Sequence, residues 1–345
     1  MARIGVLTGG GDCAGLDAII RAVVRRTRLT HGDDVIGFRN GWKGVIENDT
    51  IDLTIERTAG ILTRGGTLLG TSRVDPVAGG NERIAAVHET IERNNIDAFV
   101  VIGGDGTLRG SRDLQREGVH LVGVPKTIDN DVDGTDLSVG FCTAVQVATD
   151  AIDRLQTTAE SHQRVMVVEV MGRDAGWIAA CAGLASGADM VLVPERPFDI
   201  EEVCEQLRGR HRRGRSFSIV VVAEGAHPAD GTLKAAEGRV LAERTRLVPS
   251  GIAITLQNEI QQRTGFETRA TILGHILRGG TPTASDRILA TRFGIAASDA
   301  VKAGSFGTMT ALRGREIVQV GLDDALRFRK PLEPEIYNDA AVFFG

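Results

Sequence analysis

With 345 residues, 42% hydrophobic and 25% charged, the chain has the composition of a globular protein and enough length for two domains. The formal net charge of −5 leaves no dominant basic face, so we expect no nucleic-acid partner. No apolar stretch approaches the length of a membrane span and no signal segment precedes the first predicted strand, so we expect no membrane partner and a cytoplasmic location.

Short apolar, β-branched runs alternate with helical patterns along the whole chain. The predicted strands cover 4–7, 35–38, 98–102, 121–124, 165–170, 190–193, 219–223 and 270–273, and the predicted helices cover 16–28, 84–93, 143–158, 201–212, 252–263 and 286–302. Strands that are apolar on both faces and alternate with helices indicate parallel sheets covered on each side. We therefore predict an α/β protein with two Rossmann-like parallel sheets and ligand sites at the carboxyl ends of the strands.

Three predicted strands in the first half end in loops suited to phosphate chemistry. The first ends in TGGGD at 8–12, the second in GGDGT at 103–107 and the third in PKTIDND at 125–131. Glycine loops that open helices let backbone N–H groups approach a phosphate, although the first loop alone is equally compatible with a turn that binds nothing. Asp105 inside such a loop favours a Mg²⁺ ion over a helix cap, whereas the third loop fits either a reacting hydroxyl or a plain surface turn.

Glycine, carboxylate and arginine residues also follow the later strands. They are Met171, Gly172 and Arg173, then Glu224, then His275 and Arg278, with Arg164 and Arg269 near the strand starts. A single arginine is usually a solvated side chain, but several at strand ends predict a polyanionic ligand.

The motifs GGDGT, PKTIDND, VEVMGR at 168–173 and ETRATILGHILRGG at 267–280 together resemble those of the 6-phosphofructokinases, from about residue 5 to 312. The resemblance implies Mg²⁺-dependent transfer of a phosphoryl group from ATP to the 1-hydroxyl of fructose 6-phosphate. It also implies a larger nucleotide-binding domain of residues 1–137 and 252–304, and a smaller sugar-phosphate domain of 138–251 and 305–345.

The same resemblance implies a role for each matching residue. Gly10, Arg73, Val74, Gly104, Asp105, Gly106 and Thr107 would bind the donor, with Asp105 as the Mg²⁺ ligand. Asp129 would be the general base, assisted by Thr127, Lys126 and Arg173, while Thr127, Asp129, Met171, Gly172, Arg173, Glu224, His275 and Arg278 would bind the sugar phosphate. Arg164 and Arg269 match residues that the family supplies from a neighbouring subunit, which implies a homodimer or homotetramer.

Two positions depart from the family pattern, and the donor signature is mixed. Ala14 and Asp17 stand where the family usually has Pro and Asn, and the extra carboxylate either weakens anion binding or is a neutral helix-start charge. Gly106 is typical of ATP users and Lys126 of pyrophosphate users. We give Gly106 more weight, because an Asp there would exclude the α-phosphate of ATP, and keep pyrophosphate as the alternative donor.

Two other functions remain open on the sequence. A NAD kinase or lipid kinase shares the GGDG loop but has no need of the second phosphate clamp. A non-catalytic sugar-phosphate sensor would usually lack the carboxylates that Asp105 and Asp129 provide here.

Overall fold

The computed structural model describes residues 1–233 and 251–344, and the chain divides into two compact units. The first unit contains Met1–Thr143 and Arg278–Lys330, and the second contains Ala144–Leu277 and Pro331–Gly345. Within the described ranges, no helix has both the length and the hydrophobicity that crossing a bilayer requires. The cytoplasmic location stays a prediction.

The strands confirm the predicted α/β class. They are β1 Arg3–Thr8, β2 Asp34–Phe38, β3 Thr50–Asp52, β4 Ala98–Gly103, β5 Leu121–Pro125, β6 Val165–Val170, β7 Met190–Leu192, β8 Ser218–Ala223, β9 Thr268–Ile272, β10 Thr308–Arg313 and β11 Glu316–Gly321. The helices are α1 Leu16–Arg26, α2 Trp42–Ile46, α3 Asn81–Asn94, α4 Asp105–Arg116, α5 Phe141–His162, α6 Trp177–Ser186, α7 Ile200–Arg212, α8 Ile252–Thr264, α9 Ala284–Lys302, α10 Leu322–Ala325 and α11 Pro334–Ala341.

The first unit is built on a seven-stranded sheet in the order β11-β10-β5-β4-β1-β2-β3. Its five inner strands are parallel, and the two edge strands are antiparallel to their neighbours. The inner strands are apolar on both faces; Phe99 of β4, for example, packs its ring 5.6 Å from those of Phe38 and Trp42. Burial on both faces explains why these segments are continuous apolar runs rather than alternating ones.

The second unit is built on a four-stranded parallel sheet in the order β7-β8-β6-β9. Its core is aliphatic and joins Val220 and Val222 of β8 to Leu207 of α7 and Leu256 of α8. Because all four strands run in one direction, the loops that follow them lie along one edge of the sheet.

The predicted domain boundaries need correction in the C-terminal half. The segment 252–277 was assigned to the first domain, but β9 pairs with β6 and so belongs to the second unit. The segment 305–330 was assigned to the second domain, but β10 pairs with β5 of the first sheet. Part of the predicted smaller domain, residues 234–250, lies outside the described residues. Which unit binds nucleotide and which binds sugar phosphate stays a prediction.

Candidate active site

The order of strands in the first unit reverses between the neighbouring strands β1 and β4. From β1 the chain continues to the neighbouring strand β2. From β4 it continues to β5, which lies in the opposite direction along the strand order. Ligands of parallel sheets bind where the strand order reverses in this way. The loops after β1, β4 and β5 are the three phosphate-type loops that the sequence predicted.

The loop after β1 is held by the end of β4 and by the segment 67–72. The Gly9 N–H donates to Ile102 O at 2.9 Å, and the Gly10 N–H donates to Ser72 O at 2.8 Å. The Thr71 hydroxyl donates to Gly10 O at 2.6 Å. Two of the three glycine amides, those of Gly9 and Gly10, are therefore already hydrogen-bonded inside the protein, and Gly10 has a φ of 83°, which glycine adopts without strain.

Two cations lie against this first loop. The Lys126 side chain is only 2% exposed, and its ammonium donates to the carbonyls of Gly9, at 2.9 Å, and Gly11. Arg278 donates to Asp12 O at 3.1 Å. Burial lowers the pKa of Lys126, and the positive charge of Arg278 lowers it further. The structure thus brings Lys126 and Arg278 to the proposed donor loop, where a polyphosphate would find positive charge.

The loop after β4 opens α4 with an acidic residue. Gly104 precedes the helix without a side-chain cap, and the Asp105 carboxylate pairs instead with Arg109 one turn later, at 2.8 Å. Thr107 points back under the first loop, where its side chain would meet a Cβ added at Gly9. Gly106 is exposed, and a Cβ added there would meet no atom within 4 Å. The space beside Gly106 is therefore open.

The loop after β5 carries the predicted base. The Asp129 N–H donates to the Thr127 hydroxyl oxygen at 3.1 Å, and Thr127 also bonds the Asp131 carboxylate. The turn is fixed from behind by Asn130, at φ 52°, whose side-chain oxygen accepts from the Ser138 N–H at 3.0 Å. The network holds the main chain of this loop in one conformation, with Asp129 half-buried at the edge of the sheet.

The carboxylates of Asp105 and Asp131 suit a Mg²⁺ ion that is already bound to substrate phosphates. Burial raises the pKa of Asp131, and the negative charge of Asp105 raises it further, so the two groups are close in space. The described residues hold no cluster of three or more side chains that could bind a metal by themselves. Mg²⁺ commonly takes one or two carboxylates and completes its shell with water and substrate phosphates. The carboxylates of Asp105 and Asp131 fit this way of binding Mg²⁺.

The strand ends of the second unit meet as predicted. The Glu224 N–H donates to Val170 O at 2.9 Å, and the Gly225 N–H donates to Gly172 O at 3.1 Å. A Cβ at Gly225 would collide with the Arg173 carbonyl, so only glycine allows the two loops to touch. Met171, Arg173 and Glu224 therefore follow adjacent strands at one edge, with exposed Arg173 and Glu224 side chains, and exposed His275 follows the next strand, β9.

Glu169 is a site residue that sequence reasoning missed. It is the fifth residue of β6 and 7% exposed, and its carboxylate accepts the Ala253 N–H at the start of α8 at 2.9 Å. Its backbone oxygen accepts the Leu273 N–H at 3.0 Å. Burial raises the pKa of Glu169, and the charge of nearby Glu224 raises it further. The residue joins the ends of β6 and β9 to the start of α8, and its side-chain partner is too distant in sequence to be anticipated.

Arg164 and Arg269 lie at the opposite end of the second sheet. Both bind the Glu267 carboxylate, at 2.9 Å and 2.6 Å. Since β6 separates Arg164 from Met171, these two residues lie roughly 20 Å apart. Arg164 is therefore not placed with the strand-end residues of its own unit, and its use by a neighbouring subunit stays a prediction.

A family model described as Phosphofructokinase matches residues 3–301. The chain belongs to the phosphofructokinase family. The match includes the segments at 168–173 and 267–280, so the NAD kinase and lipid kinase alternatives are excluded.

Relatives in this family include proteins with either donor in their names. The ATP-dependent 6-phosphofructokinase of Mycobacterium tuberculosis is 54% identical, over 99% of this chain and 100% of its own length. The pyrophosphate–fructose 6-phosphate 1-phosphotransferase of Amycolatopsis methanolica is 52% identical over the same shares. The structure of phosphofructokinase from Saccharomyces cerevisiae matches with a TM-score of 0.81 and 32% identity, over 95% of this chain and 45% of that one.

Proposed function

We propose that this protein is an ATP-dependent 6-phosphofructokinase that transfers the γ-phosphoryl group of ATP to the 1-hydroxyl of fructose 6-phosphate. The observation that carries the proposal is the convergence of three loops at one sheet edge: the glycine loop after β1, the loop after β4 with Asp105, and the loop after β5 with Lys126 and Asp129. Phosphoryl transfer asks a protein mainly for positioning and charge neutralisation, and these loops supply both.

The first unit supplies the donor site and the base in this proposal. Gly10, Arg73, Val74 and the residues 104–107 bind the polyphosphate. Asp129 takes the proton of the sugar 1-hydroxyl as the hydroxyl oxygen bonds to the γ-phosphorus of ATP. The bond from that phosphorus to the β,γ-bridging oxygen breaks, and ADP leaves. Lys126 holds the first glycine loop in place through its carbonyls. When bound, Mg²⁺ neutralises charge on the phosphate oxygens, and Asp105, with Asp131 beside it, would hold the ion.

The family resemblance assigns eight residues to the sugar phosphate. They are Thr127, Asp129, Met171, Gly172, Arg173, Glu224, His275 and Arg278. Arg173 would steady the transferring phosphoryl group and Glu224 a sugar hydroxyl. Arg164 and Arg269, held apart from the strand-end loops by Glu267, would serve a neighbouring copy, so the working enzyme is a homo-oligomer.

Two observations support ATP over pyrophosphate. The space beside Gly106 is open, so nothing in the described chain excludes a nucleotide's α-phosphate there. Lys126 is the feature shared with pyrophosphate users. Its ammonium donates hydrogen bonds to two carbonyls of the first loop, so it has a structural role that does not depend on the phosphoryl donor. Pyrophosphate remains the second candidate because a relative named for it is 52% identical.

The test is a coupled assay of fructose 1,6-bisphosphate formation with Mg-ATP and Mg-pyrophosphate at matched concentrations. We expect turnover with ATP. Turnover with pyrophosphate alone would contradict the choice of donor. Calorimetric binding of fructose 6-phosphate without turnover on either donor would instead indicate the non-catalytic relative.

A further inference from the structure

Asp17 is a buried acid for which the proposed chemistry has no use. It is the second residue of α1, and its side chain is 0% exposed. One carboxylate oxygen accepts the Leu68 N–H at 2.6 Å. The other, Oδ2, is buried and has no hydrogen-bond partner in the part of the chain that the structure describes. Only half of the carboxylate is therefore satisfied.

Asp17 binds the segment 67–72, which is in turn hydrogen-bonded to the proposed donor loop. Four hydrogen bonds join residues 67–72 to the end of β1 and the first glycine loop: Thr8 Oγ1 with Thr67 Oγ1 at 3.1 Å, Thr8 Oγ1 to Gly70 O at 2.6 Å, Gly10 N–H to Ser72 O at 2.8 Å, and Thr71 Oγ1 to Gly10 O at 2.6 Å. The chain then continues directly into Arg73 and Val74. The Asp17 carboxylate therefore links the segment 67–72 to the start of α1.

The surroundings of Asp17 favour its neutral form. Burial raises the pKa of its carboxyl group, and this effect outweighs both the Leu68 bond and the attraction of Arg64. Asp286 of α9, the helix that packs on α1, directs its own carboxylate to the amides of Gly140 and Thr143. Ionisation of Asp17 would therefore leave an incompletely paired charge inside the protein.

We propose that Asp17 is a positioning residue that makes donor binding sensitive to pH. In the neutral form it anchors residues 67–72 against the first glycine loop. In the ionised form it keeps the Leu68 bond but leaves a buried, incompletely paired negative charge beside the loop that receives the polyphosphate. This inference rests on the proposed function, because it assumes that the loop binds a phosphoryl donor.

Asn is the matched control, since it has the shape of the neutral acid, keeps an oxygen for the Leu68 N–H and never ionises. The experiment compares wild type, Asp17→Asn and Asp17→Ala as full-length proteins, measuring kcat and the KM for ATP from the usual range of an aspartate, about pH 4, up to about pH 8. The ratio of wild-type to Asp17→Asn KM cancels the titration of ATP itself. We expect that ratio to rise by about fivefold or more across the range while kcat stays equal. Asp17→Ala, which gives Leu68 no acceptor, should raise the KM at every pH.

Thermal unfolding gives a second readout that does not depend on activity. An acid whose pKa is raised in the folded state supports folding while protonated, and this support is lost as the pH rises through the folded-state pKa. The unfolding temperature of Asp17→Asn should therefore rise relative to that of wild type as the pH increases. With wild-type turnover established first, parallel profiles of the two proteins in both measurements would overturn the role of Asp17 alone. Absence of wild-type turnover would refute the proposed function itself.

Discussion

Replacement of Gly106 by Asp should separate donor choice from folding. Gly106 is the second residue of α4 and exposed, and a side chain there meets no atom within 4 Å. A negative charge in the first turn of a helix stabilises it by about 0.3–1 kcal/mol, and loss of a helical glycine adds to that gain. We therefore expect the free energy of unfolding to stay the same or to increase.

The effect on ATP has the opposite sign. Two unit charges about 4 Å apart repel by about 4 kcal/mol at an effective dielectric constant of about 20. A carboxylate that faces the α-phosphate at that distance should lower kcat/KM for ATP by about a thousandfold. Pyrophosphate has no α-phosphate beyond its two phosphoryl groups, so any activity with it should suffer much less.

The assay is kcat/KM with each donor for Gly106→Asp, with Gly106→Ala and Gly106→Asn as controls for backbone and volume. Gly106→Asn should keep far more ATP activity than Gly106→Asp, because only the latter carries charge. If Gly106→Asp retained kcat/KM for ATP within about tenfold of wild type, the α-phosphate would not lie beside residue 106 and our reasoning would be refuted.

Two further substitutions test the scaffolding of the site. Lys126→Met removes the ammonium from the carbonyls of Gly9 and Gly11. It should lower the free energy of unfolding by about 1–3 kcal/mol and reduce turnover with either donor. An unchanged midpoint of urea unfolding would contradict this structural role. Glu169→Ala leaves the Ala253 N–H without its acceptor and should cost about 1–2 kcal/mol, again by urea unfolding, with a raised KM for fructose 6-phosphate; equal stability would mean that α8 finds another cap.

The sequence predicted β1, β4, β5, β6 and β8 because these strands are continuous apolar runs that are buried on both faces. All eight predicted strands are present, each within two residues of its predicted bounds. The antiparallel hairpin of β10 and β11 was missed, although Gly314, at φ 60°, marks its turn between two alternating segments. This omission, with the unpredicted pairing of β9 to β6, misplaced the domain boundaries.

Side-chain partners distant in sequence could not be predicted. Residue identity placed Lys126 near phosphate but did not show that its ammonium turns inward to the first glycine loop. The sharing of Glu267 by Arg164 and Arg269 depends on strand register, which a pattern of hydrophobicity does not fix. The cap that Glu169 gives α8 joins residues 84 positions apart.

The central claim is that Asp129 removes the proton from the sugar hydroxyl. The most direct measurement is the turnover of Asp129→Ala at saturating donor and fructose 6-phosphate, with sugar-phosphate affinity measured separately by calorimetry. We predict that turnover falls by at least about 10²–10⁴-fold while the affinity for fructose 6-phosphate stays nearly unchanged. Near-normal turnover in this variant would contradict the account.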